Sequence, residues 1–453
     1  MKKKYVRWTL WTIASPFILF IILCILIYLP PIQNFLVDKA AVYASEATGM
    51  NISVGRISLS FPLNLVVTNV DAASPHNDTL LSVRRLQVNV QLLPLLKKQV
   101  EVDGISLQGA TVNSNDLIHG MKLNGTLGEL FISSHGVALD PETAIVNKVL
   151  LKDTDLSLCL NDTAAADTAA SDTTYWKIIL QDIDLQNVSF ALDMPLDSLS
   201  LAASLDNAIL RDGLIDLHKS AYSLQTFRIE NGRVRYDNGK PLAADSLSSG
   251  LDPSHIALTD IGVKLDSLYY GGRNMKAIIS QFVLKERSGV EIVSATGRMV
   301  SNDKVLRVPS LKLETRDSYL ELNAAMDWNA LDFKDEGLVS ARLMADIGKP
   351  DVVRFMGSMD EKFIRQYPSE PLRIRTGIDG DLNKLKLTTL TAELPGALGL
   401  FARGELTHLT DSLLRGGDIT LEAETKDLKF VSTLAEGIEI PYGTRLEGKF
   451  TMA

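Results

Sequence analysis

The stretch LKLETRDSYLELNAAMDW, Leu311–Trp328, alternates apolar and polar residues on both sides of a short polar turn. Leu311 and Leu313 alternate with a lysine and a glutamate, and Leu320 and Leu322 alternate with a glutamate and an asparagine. Because successive side chains of a strand face opposite sides, this pattern predicts a β-hairpin with one apolar face and one polar face. The pattern recurs along most of the chain, so whatever covers the long apolar face decides the function.

The composition favours a long aliphatic lining over a compact aromatic core. The chain has 453 residues, of which 46% are hydrophobic but only 6% aromatic. Its net charge of −9 argues against a nucleic-acid partner, because phosphate binding draws on clustered lysine and arginine. The two cysteines, Cys24 and Cys159, lie far apart in the sequence, and we expect no disulfide framework.

The N-terminus predicts a membrane anchor. Four basic residues among the first seven precede Trp8–Leu29, an uncharged segment long enough to cross a bilayer as a helix. The alternative is a cleavable signal peptide with its cleavage site near Val42–Ala44, but the apolar run is longer than the core of a signal peptide. The basic residues place positions 1–7 in the cytoplasm and the bulk of the chain on the other side of the membrane.

A second helix is predicted at Ile32–Thr48, after Pro30–Pro31 ends the first one. Gly49 then provides a C-terminal stop. This helix could pack as a cap on the first strands, or it could lie in the membrane interface. The cap is favoured, because no basic face accompanies the apolar one.

From Asn51 onward the sequence predicts strands. Leu86–Leu92 alternates perfectly, and Val102 is expected to pair with Ile105 across a turn at Asp103–Gly104. Four segments share a further pattern, in which two alternating strands flank a residue type that tolerates turn dihedrals. These segments are Ile105–Val112, Val149–Leu158, Ile183–Leu192 and Phe227–Tyr236, with turn residues Gly109, Asp153, Asn187 and Asn231. Short helices are expected at Asp351–Gly357, Asp360–Tyr367 and Leu428–Ala435.

The sequence carries poor signals for catalysis. The six histidines are scattered without the spacing of zinc ligands, and no glycine-rich phosphate loop follows a strand. The pairs Asp153/Asp155 and Asp182/Asp184 could suggest metal or glycosidase carboxylates, but each lies on the polar face of an alternating strand. Solvated surface is the favoured interpretation, and we expect no enzymatic activity, no metal and no cofactor.

Three blocks carry a resemblance to a known family. They are Gly55–Val112, beginning GRISLSFPLNLVVTNV, then Ala295–Trp328, ATGRMVSNDKVLRVPSLKLETRDSYLELNAAMDW, and Pro371–Leu406, PLRIRTGIDGDLNKLKLTTLTAELPGALGLFARGEL. With the anchor ahead of them, the chain resembles the AsmA-like superfamily of diderm bacteria, in particular its TamB-type members, the inner-membrane subunits of the translocation and assembly module. The C-terminal region of those members has no counterpart here, so the chain resembles their N-terminal portion.

The resemblance implies a fold and a location. The fold would be mainly β, with an N-terminal transmembrane helix, an elongated, repeated antiparallel β-groove and a few short helices. The chain would be a single-pass protein of the cell inner membrane, with a cytoplasmic N-terminus and its bulk in the periplasm. The expected parts are residues 1–30 as cytoplasmic tip and anchor, 31–48 as helix, 49–160 as an N-terminal AsmA-like β module, 161–174 as a flexible acidic loop or linker, and 175–453 as a repeated β-groove that continues beyond the given chain.

The residues themselves point in the same direction. One-faced strands normally bury their apolar side against helices or a second sheet, and the predicted helices are too few to cover it. If the sheet curls into a gutter, acyl chains could complete its core. A closed β-solenoid or a stack of sandwiches, with the aliphatic face as ordinary core, would give the same alternation and remains the alternative.

Two functions are therefore expected from the sequence and the resemblance together. The first is conduction of phospholipid between membranes along an apolar groove, in support of outer-membrane biogenesis. The alternative is a scaffold that inserts outer-membrane β-barrel proteins with a barrel-assembly partner. The partners would be phospholipid, the inner membrane and that barrel-assembly protein. The candidate lipid-facing residues are Leu86, Val88, Val90, Leu92, Ile105, Leu107, Leu311, Leu313, Leu320, Leu322 and Met326.

Overall fold

The computed structural model describes residues 39, 41–43, 45–46, 48–60, 64–74, 78–91, 102–114, 120–138, 142–161, 175–239, 250–334, 337–356, 361–434 and 442–452. The predicted membrane helix and nearly all of the acidic loop 161–174 lie outside these residues. The described residues form 21 strands and a few short helices, so the protein is mainly β, as the alternation predicts.

The strands are β1 (Asn51–Ser60), β2 (Asn64–Ala73), β3 (Thr79–Val90), β4 (Val102–Asn113), β5 (Met121–Ala138), β6 (Thr143–Leu160), β7 (Lys177–Met194), β8 (Leu199–Asp216), β9 (Ala221–Leu224), β10 (Thr226–Asn238), β11 (His255–Gly271), β12 (Asn274–Glu286), β13 (Glu291–Ser301), β14 (Val305–Thr315), β15 (Tyr319–Asp327), β16 (Leu338–Ile347), β17 (Leu372–Asp381), β18 (Lys384–Leu394), β19 (Leu398–Thr407), β20 (Gly416–Thr425) and β21 (Arg445–Met452). The helices are α1 (Trp328–Leu331), α2 (Lys349–Phe355) and α3 (Glu361–Gln366), with 3₁₀ turns at Pro195–Asp197 and Val431–Thr433.

The helix predictions have mixed outcomes. α2 and α3 are present close to their predicted positions. Among the described residues of the segment Leu428–Ala435, the expected short helix is a 3₁₀ turn at Val431–Thr433. At the N-terminus, the described residues between 39 and 48 are helical. Gly49 ends that helix with φ +69° and donates its N–H to Ser45 at 2.9 Å, as expected of a C-terminal stop.

The chain divides into two compact units. The first comprises residues 1–173 and 178–196, and the second comprises residues 174–177 and 197–453. In the first unit, β1 to β6 pair consecutively and antiparallel. In the second, β8 and β10 to β21 also pair consecutively and antiparallel. β9 extends β10 beyond Gln225, since both pair with β8 and with β11.

β6 and β7 depart from the expected antiparallel order. Asn187 donates to Asp153 at 2.9 Å, and Asn147 donates to Gln181 at 2.9 Å. Both bonds join residues 34 positions apart. Only strands that run in the same direction keep a constant offset over this length. β6 and β7 are therefore parallel.

A row of left-handed residues crosses the first unit at mid-strand. Asn69, Gly109 and Asp153, in β2, β4 and β6, have φ values of 53°, 61° and 48°. Each ladder keeps the same register on the two sides of these residues and omits the position in the row itself. We call this the bend row, and it consists of Gly55, Asn69, Arg84, Gly109, Gly128 and Asp153.

The bend row corrects the turn predictions made from the sequence. Gly109, Asp153, Asn187 and Asn231 all have the positive φ that their residue types tolerate, yet none of them ends a strand. A single residue with a left-handed backbone conformation changes the direction of a strand without ending it. The turn at Asp103–Gly104 is also wrong, because β4 runs through both residues and a register shift against β3 absorbs Asp103.

The apolar alternation changes phase at the bend row. In β3, for example, Val83 and Leu86 flank the row three positions apart instead of two. We infer that each strand accommodates one additional residue at the row. The apolar residues on both sides of the row therefore stay on one face of the sheet. The corresponding pairs are Val54 and Ile57, Val67 and Val70, Leu107 and Ala110, Leu127 and Leu130, and Leu151 and Thr154.

We predict that Gly128→Ala destabilises the first unit by about 1–3 kcal/mol, because the close packing at the bend row leaves no room for a methyl group. A Cβ at Gly128 would lie 2.8 Å from the Cβ of Asp153 and 3.0 Å from its carbonyl oxygen. A Cβ added at Gly399 in β19 would have no other atom within 4 Å, so Gly399→Ala is the matched control. Urea unfolding measures both, and equal stability of the two variants would contradict the close packing.

The hairpin Leu311–Trp328 forms as predicted. β14 and β15 pair with Leu311 opposite Leu322 and Leu313 opposite Leu320. A register shift near Pro309 lets a proline, which has no N–H to donate, sit within the ladder. Trp328 lies just beyond the strand, where it opens α1.

Packed hydrophobic cores lie where the helices meet the strand ends of the second unit. Phe363 and Tyr367 of the α3 region pack against Phe430, with ring centroids 5.8 Å and 5.1 Å from it. Leu394 and Ala397, at the turn between β18 and β19, complete this cluster. It resembles an ordinary protein core, sealed on all sides by protein.

A buried carboxylate fixes α2 to the same end of the sheet. Asp351 is 1% exposed and accepts hydrogen bonds from Thr315 and from Ser318, the latter at 2.6 Å. Arg354 reaches Asp351 at 3.1 Å and Asp317 at 2.8 Å. Burial alone would lower the pKa of Arg354, but its hydrogen bonds to Asp317 and Asp351 outweigh burial and raise this pKa.

We predict that Asp351→Ala lowers the free energy of unfolding of the second unit by about 2–4 kcal/mol, because it removes the buried acceptor of two hydroxyls and one of the two carboxylates that bind Arg354. The control is Glu361→Ala, which removes an exposed pair with Arg365 at 2.7 Å and should change little. Denaturant unfolding followed by tryptophan fluorescence gives both values, and a small effect of Asp351→Ala would rule out this anchoring role.

Candidate functional site

Four of the candidate lipid-facing residues adjoin one another in the first unit. Leu86 lies opposite Leu107, and Val88 lies opposite Ile105, in neighbouring strands β3 and β4. Directly opposite residues of an antiparallel pair share a face of the sheet. These two pairs therefore form part of one aliphatic surface.

The same surface continues across β1 to β6 as two rows of directly opposite residues. One row is Leu59, Leu65, Val88, Ile105, Ile132 and Val149. The other is Ile57, Val67, Leu86, Leu107, Leu130 and Leu151. Every member is leucine, isoleucine or valine, so the surface is continuous and uncharged along both rows.

The second unit contains two longer rows, and the opening hairpin lies within them. One is Ala208, Ile229, Val263, Phe282, Ala295, Leu313, Leu320, Ala345, Ile374, Ala392, Leu400, Ala423 and Leu446. The other is Leu210, Phe227, Leu265, Ile279, Gly297, Leu311, Leu322, Leu343, Thr376, Leu390, Ala402, Leu421 and Gly448. Neither row has a charged member.

These aliphatic rows are not sealed by a second layer of described protein. The large side chains in the four rows are half-buried, apart from Leu446, which is exposed. The buried members are the alanines at positions 208, 295, 345 and 402, whose short side chains are sheltered by larger neighbours. A strand face covered by a second sheet would bury its leucines as fully as it buries its alanines.

Two candidate residues differ from the rest. Leu92 lies outside the residues that the structure describes. Met326 packs against the buried cluster of Ala330, Val339 and Leu382, where α1 closes one end of the sheet. Its surroundings are protein, whereas the other described candidates, Val90 included, are half-buried members of strand faces.

Charged pairs occupy the polar side of the strands. Glu321 lies opposite Lys312, and Arg375 forms a two-pronged contact with Asp346 at 2.8 and 3.0 Å. Lys285 binds Asp260 at 2.7 Å, and this hydrogen bond raises the pKa of Lys285. Exposed ion pairs of this kind add little to the free energy of unfolding, but they keep the polar side of the strands solvated.

The described residues assemble no group of three histidine, cysteine or acidic side chains that could hold a metal ion. Asp153 and Asp155 are exposed, and Asp153 accepts a hydrogen bond from Asn187, as the solvated-surface interpretation predicts, whereas Asp182 and Asp184 are half-buried. No helix among the described residues is long and apolar enough to cross a membrane, and the segment Trp8–Leu29 lies outside them.

A scan against protein-family models and a search of curated proteins found no match to this chain. The resemblance to the AsmA-like superfamily therefore stays a prediction from the sequence.

Sequence reasoning missed the bend row, although a signal for it was present. In β1, β2, β4, β5 and β6, the apolar period slips by one residue beside an asparagine, aspartate or glycine. Such a slip is typical of a residue that bends a continuous strand, whereas a hairpin turn would also need a reversal of pairing. The sealed aromatic cluster at α3 was missed because its members are far apart in the sequence.

We predict that Leu322→Ala and Leu394→Ala differ strongly in their effect on stability. Leu394 is 4% exposed in the sealed cluster, so its truncation should cost about 2–4 kcal/mol through a cavity. Leu322 is half-buried on the open face, and its truncation should cost about 1 kcal/mol or less in lipid-free protein. Denaturant unfolding measures both costs, and equal losses would mean that protein covers the aliphatic rows.

Proposed function

We propose that this chain binds acyl lipids on its aliphatic strand face and lets them move along it. The observation that carries the proposal is the set of four uncharged, mainly aliphatic rows whose large side chains are only half-buried. Apolar surface left in water is unfavourable by about 25 cal/mol per Å². An acyl chain laid against the rows removes this surface from water without any catalytic group.

Movement along the face follows from the uniformity of the rows. Each row repeats uncharged, mainly aliphatic residues at the spacing of neighbouring strands, about 4.8 Å. A tail that shifts by one strand exchanges one set of contacts for an equivalent set, so the barrier is low. Headgroups stay in water at the margin of the face. Direction must come from a gradient or a partner, because this mechanism uses no nucleotide.

The cellular setting is part of the proposal and is supported by the sequence. Trp8–Leu29 has the length and flanking charges of an inner-membrane anchor, and three blocks resemble the AsmA-like superfamily. In this setting the chain conducts phospholipid between the inner and outer membranes and supports outer-membrane biogenesis. A gutter formed by the curled sheet would hold the tails, and a closed solenoid is the competing arrangement.

Site-specific photocrosslinking in intact cells tests lipid contact. A photoreactive residue at Leu322 or Val88, on the aliphatic rows, is expected to capture phospholipid. The matched controls are the sequence neighbours Glu321 and Gln87, whose side chains alternate to the polar side. Mass spectrometry of the crosslinked adducts gives the lipid yield at each position, and equal yields at all four would refute the proposal.

A scaffold for outer-membrane β-barrel assembly is the second candidate, supported by the resemblance and by the free edge of β1. Among the described strands, β1 pairs only with β2. Ile52 bonds to the Ser45 hydroxyl on its other edge, and beyond Ile52 this edge can accept a strand. In the same crosslinking experiment, probes at Ser53 and Ser58 of β1 would then capture a barrel protein, and the probes on the rows would capture no lipid.

A further inference from the structure

Two loops at one end of the second unit hold large apolar side chains in water. The α1 loop joins β15 to β16, and its described residues are 328–334 and 337. The β19–β20 loop comprises residues 408–415. Because β16 to β19 pair consecutively and antiparallel, both loops leave the sheet at the same end. Their exposed apolar side chains, which we call the apolar tips, are Leu331 at 42%, Phe333 at 77%, Leu413 at 92% and Leu414 at 62%.

The backbone of both loops is fixed by hydrogen bonds. In the β19–β20 loop, the carboxylate of Asp411 accepts the N–H of Leu413 at 2.8 Å. In the α1 loop, Phe333 donates its N–H to the carbonyl of Ala330 at 3.1 Å. Phe333 also has φ +55°, a left-handed conformation that is unfavourable for a bulky side chain. The exposure of the tips therefore belongs to defined loop conformations, one of which is strained.

One buried cluster supports both loops. Ala330 of the α1 loop packs with Val339 and Leu382, and Leu409 of the β19–β20 loop packs against the same cluster. Leu409 also donates its N–H to the carbonyl of Leu382 at 2.8 Å. The two loops thus share one base, although four strand spacings, or about 19 Å, separate their positions along the sheet.

We propose that the apolar tips insert into the surface of a lipid bilayer and dock the second unit there. A protein partner fits less well, because a stable protein interface buries about 800 Å² on each side and four such side chains expose less. A fluid bilayer closes around two small, separate tips and removes their apolar surface from water. Tyr222 and Tyr270, exposed and stacked at 6.2 Å, lie at the same end, and tyrosine is enriched at membrane interfaces.

Charge contributes little to this docking. The β19–β20 loop contains one aspartate and one arginine. Beside α1, Arg273 and Lys334 both contact Asp332, at 3.0 and 3.7 Å. The sequence adds the acids Asp335 and Glu336. We therefore expect docking on neutral phosphatidylcholine, with no gain from anionic lipid.

Fluorescence quenching tests the docking on the full chain, reconstituted into phosphatidylcholine vesicles. Cys24 and Cys159 are replaced by alanine, and a polarity-sensitive dye is attached at Leu414→Cys. Lipids brominated in their acyl chains then quench a dye that lies within the bilayer. The matched control is a dye at Leu196→Cys, because Leu196 is a loop leucine of the first unit with 65% exposure. We expect quenching and blue-shifted emission at position 414 and neither at position 196. No quenching at 414, or equal quenching at both positions, would overturn the proposal.

Two variants show whether the tips themselves drive insertion. Leu413→Glu and Phe333→Asn should each lower the ratio of inserted to free loop about ten-fold, the worth of burying one large apolar side chain. Asparagine tolerates a left-handed φ, so Phe333→Asn should melt no lower than wild type. Undiminished quenching in both variants would contradict insertion by the tips.

The other occupants of the tips give different results in the same assay. Blue-shifted emission that rises with protein concentration in detergent, without quenching in vesicles, would assign the tips to a second copy of the chain. Quenching that requires phosphatidylglycerol would assign the docking to charge. Either result overturns the proposal.

The position of the brominated lipid identifies the membrane that is docked. Brominated lipid is placed either in the bilayer that holds the chain or in vesicles added afterwards, and quenching in either arrangement supports the proposal. Photocrosslinking at Leu322 reports on the aliphatic rows alone. Failure of docking therefore leaves lipid binding on the rows standing, and the reverse also holds.

Discussion

The constraint on which this structure depends is the one-sided strand. Every hairpin of the chain that follows the pattern of Leu311–Trp328 places its aliphatic residues on one face, and that surface is stable only when something apolar covers it. The described helices cover strand ends alone, where the clusters around Phe363 and Ala330 are sealed by protein. Between those ends, the rows retain accessible aliphatic surface. We therefore propose lipid binding on the open rows and not at the sealed strand ends.

The bend row shows how long strands can maintain such a face. β5, β6 and β7 each have 18 residues, which is far longer than an ordinary strand. Left-handed residues such as Asn69 and Asp153 occur where the apolar period slips, and glycines such as Gly55 and Gly128 give them space on the neighbouring strands. In β1 to β6 the ladders thus omit one level at the bend row while their pairing continues on both sides of it.

Local features of the fold could be predicted from the sequence, and pairing between distant segments could not. The hairpin at Leu311–Trp328 was predictable because its alternation and its polar turn are both local. The turn predicted at Asp103–Gly104 was wrong, since a residue pair that favours turns also fits a bulge. The parallel pairing of β6 and β7 depends on which partner a strand meets, and alternation carries no information on strand direction. The aliphatic rows were predictable as residues, but their openness depends on what the rest of the chain covers.

Native mass spectrometry of the full chain, released from membranes in a mild detergent, tests the central claim most directly. The account predicts several phospholipids bound to each chain. It also predicts that replacing Leu311 and Leu322 by aspartate lowers this number, whereas replacing the polar-side neighbours Lys312 and Glu321 by aspartate and glutamine does not. A chain that carries no phospholipid, or the same number in both variants, would contradict the account and show that the aliphatic rows are ordinary protein core.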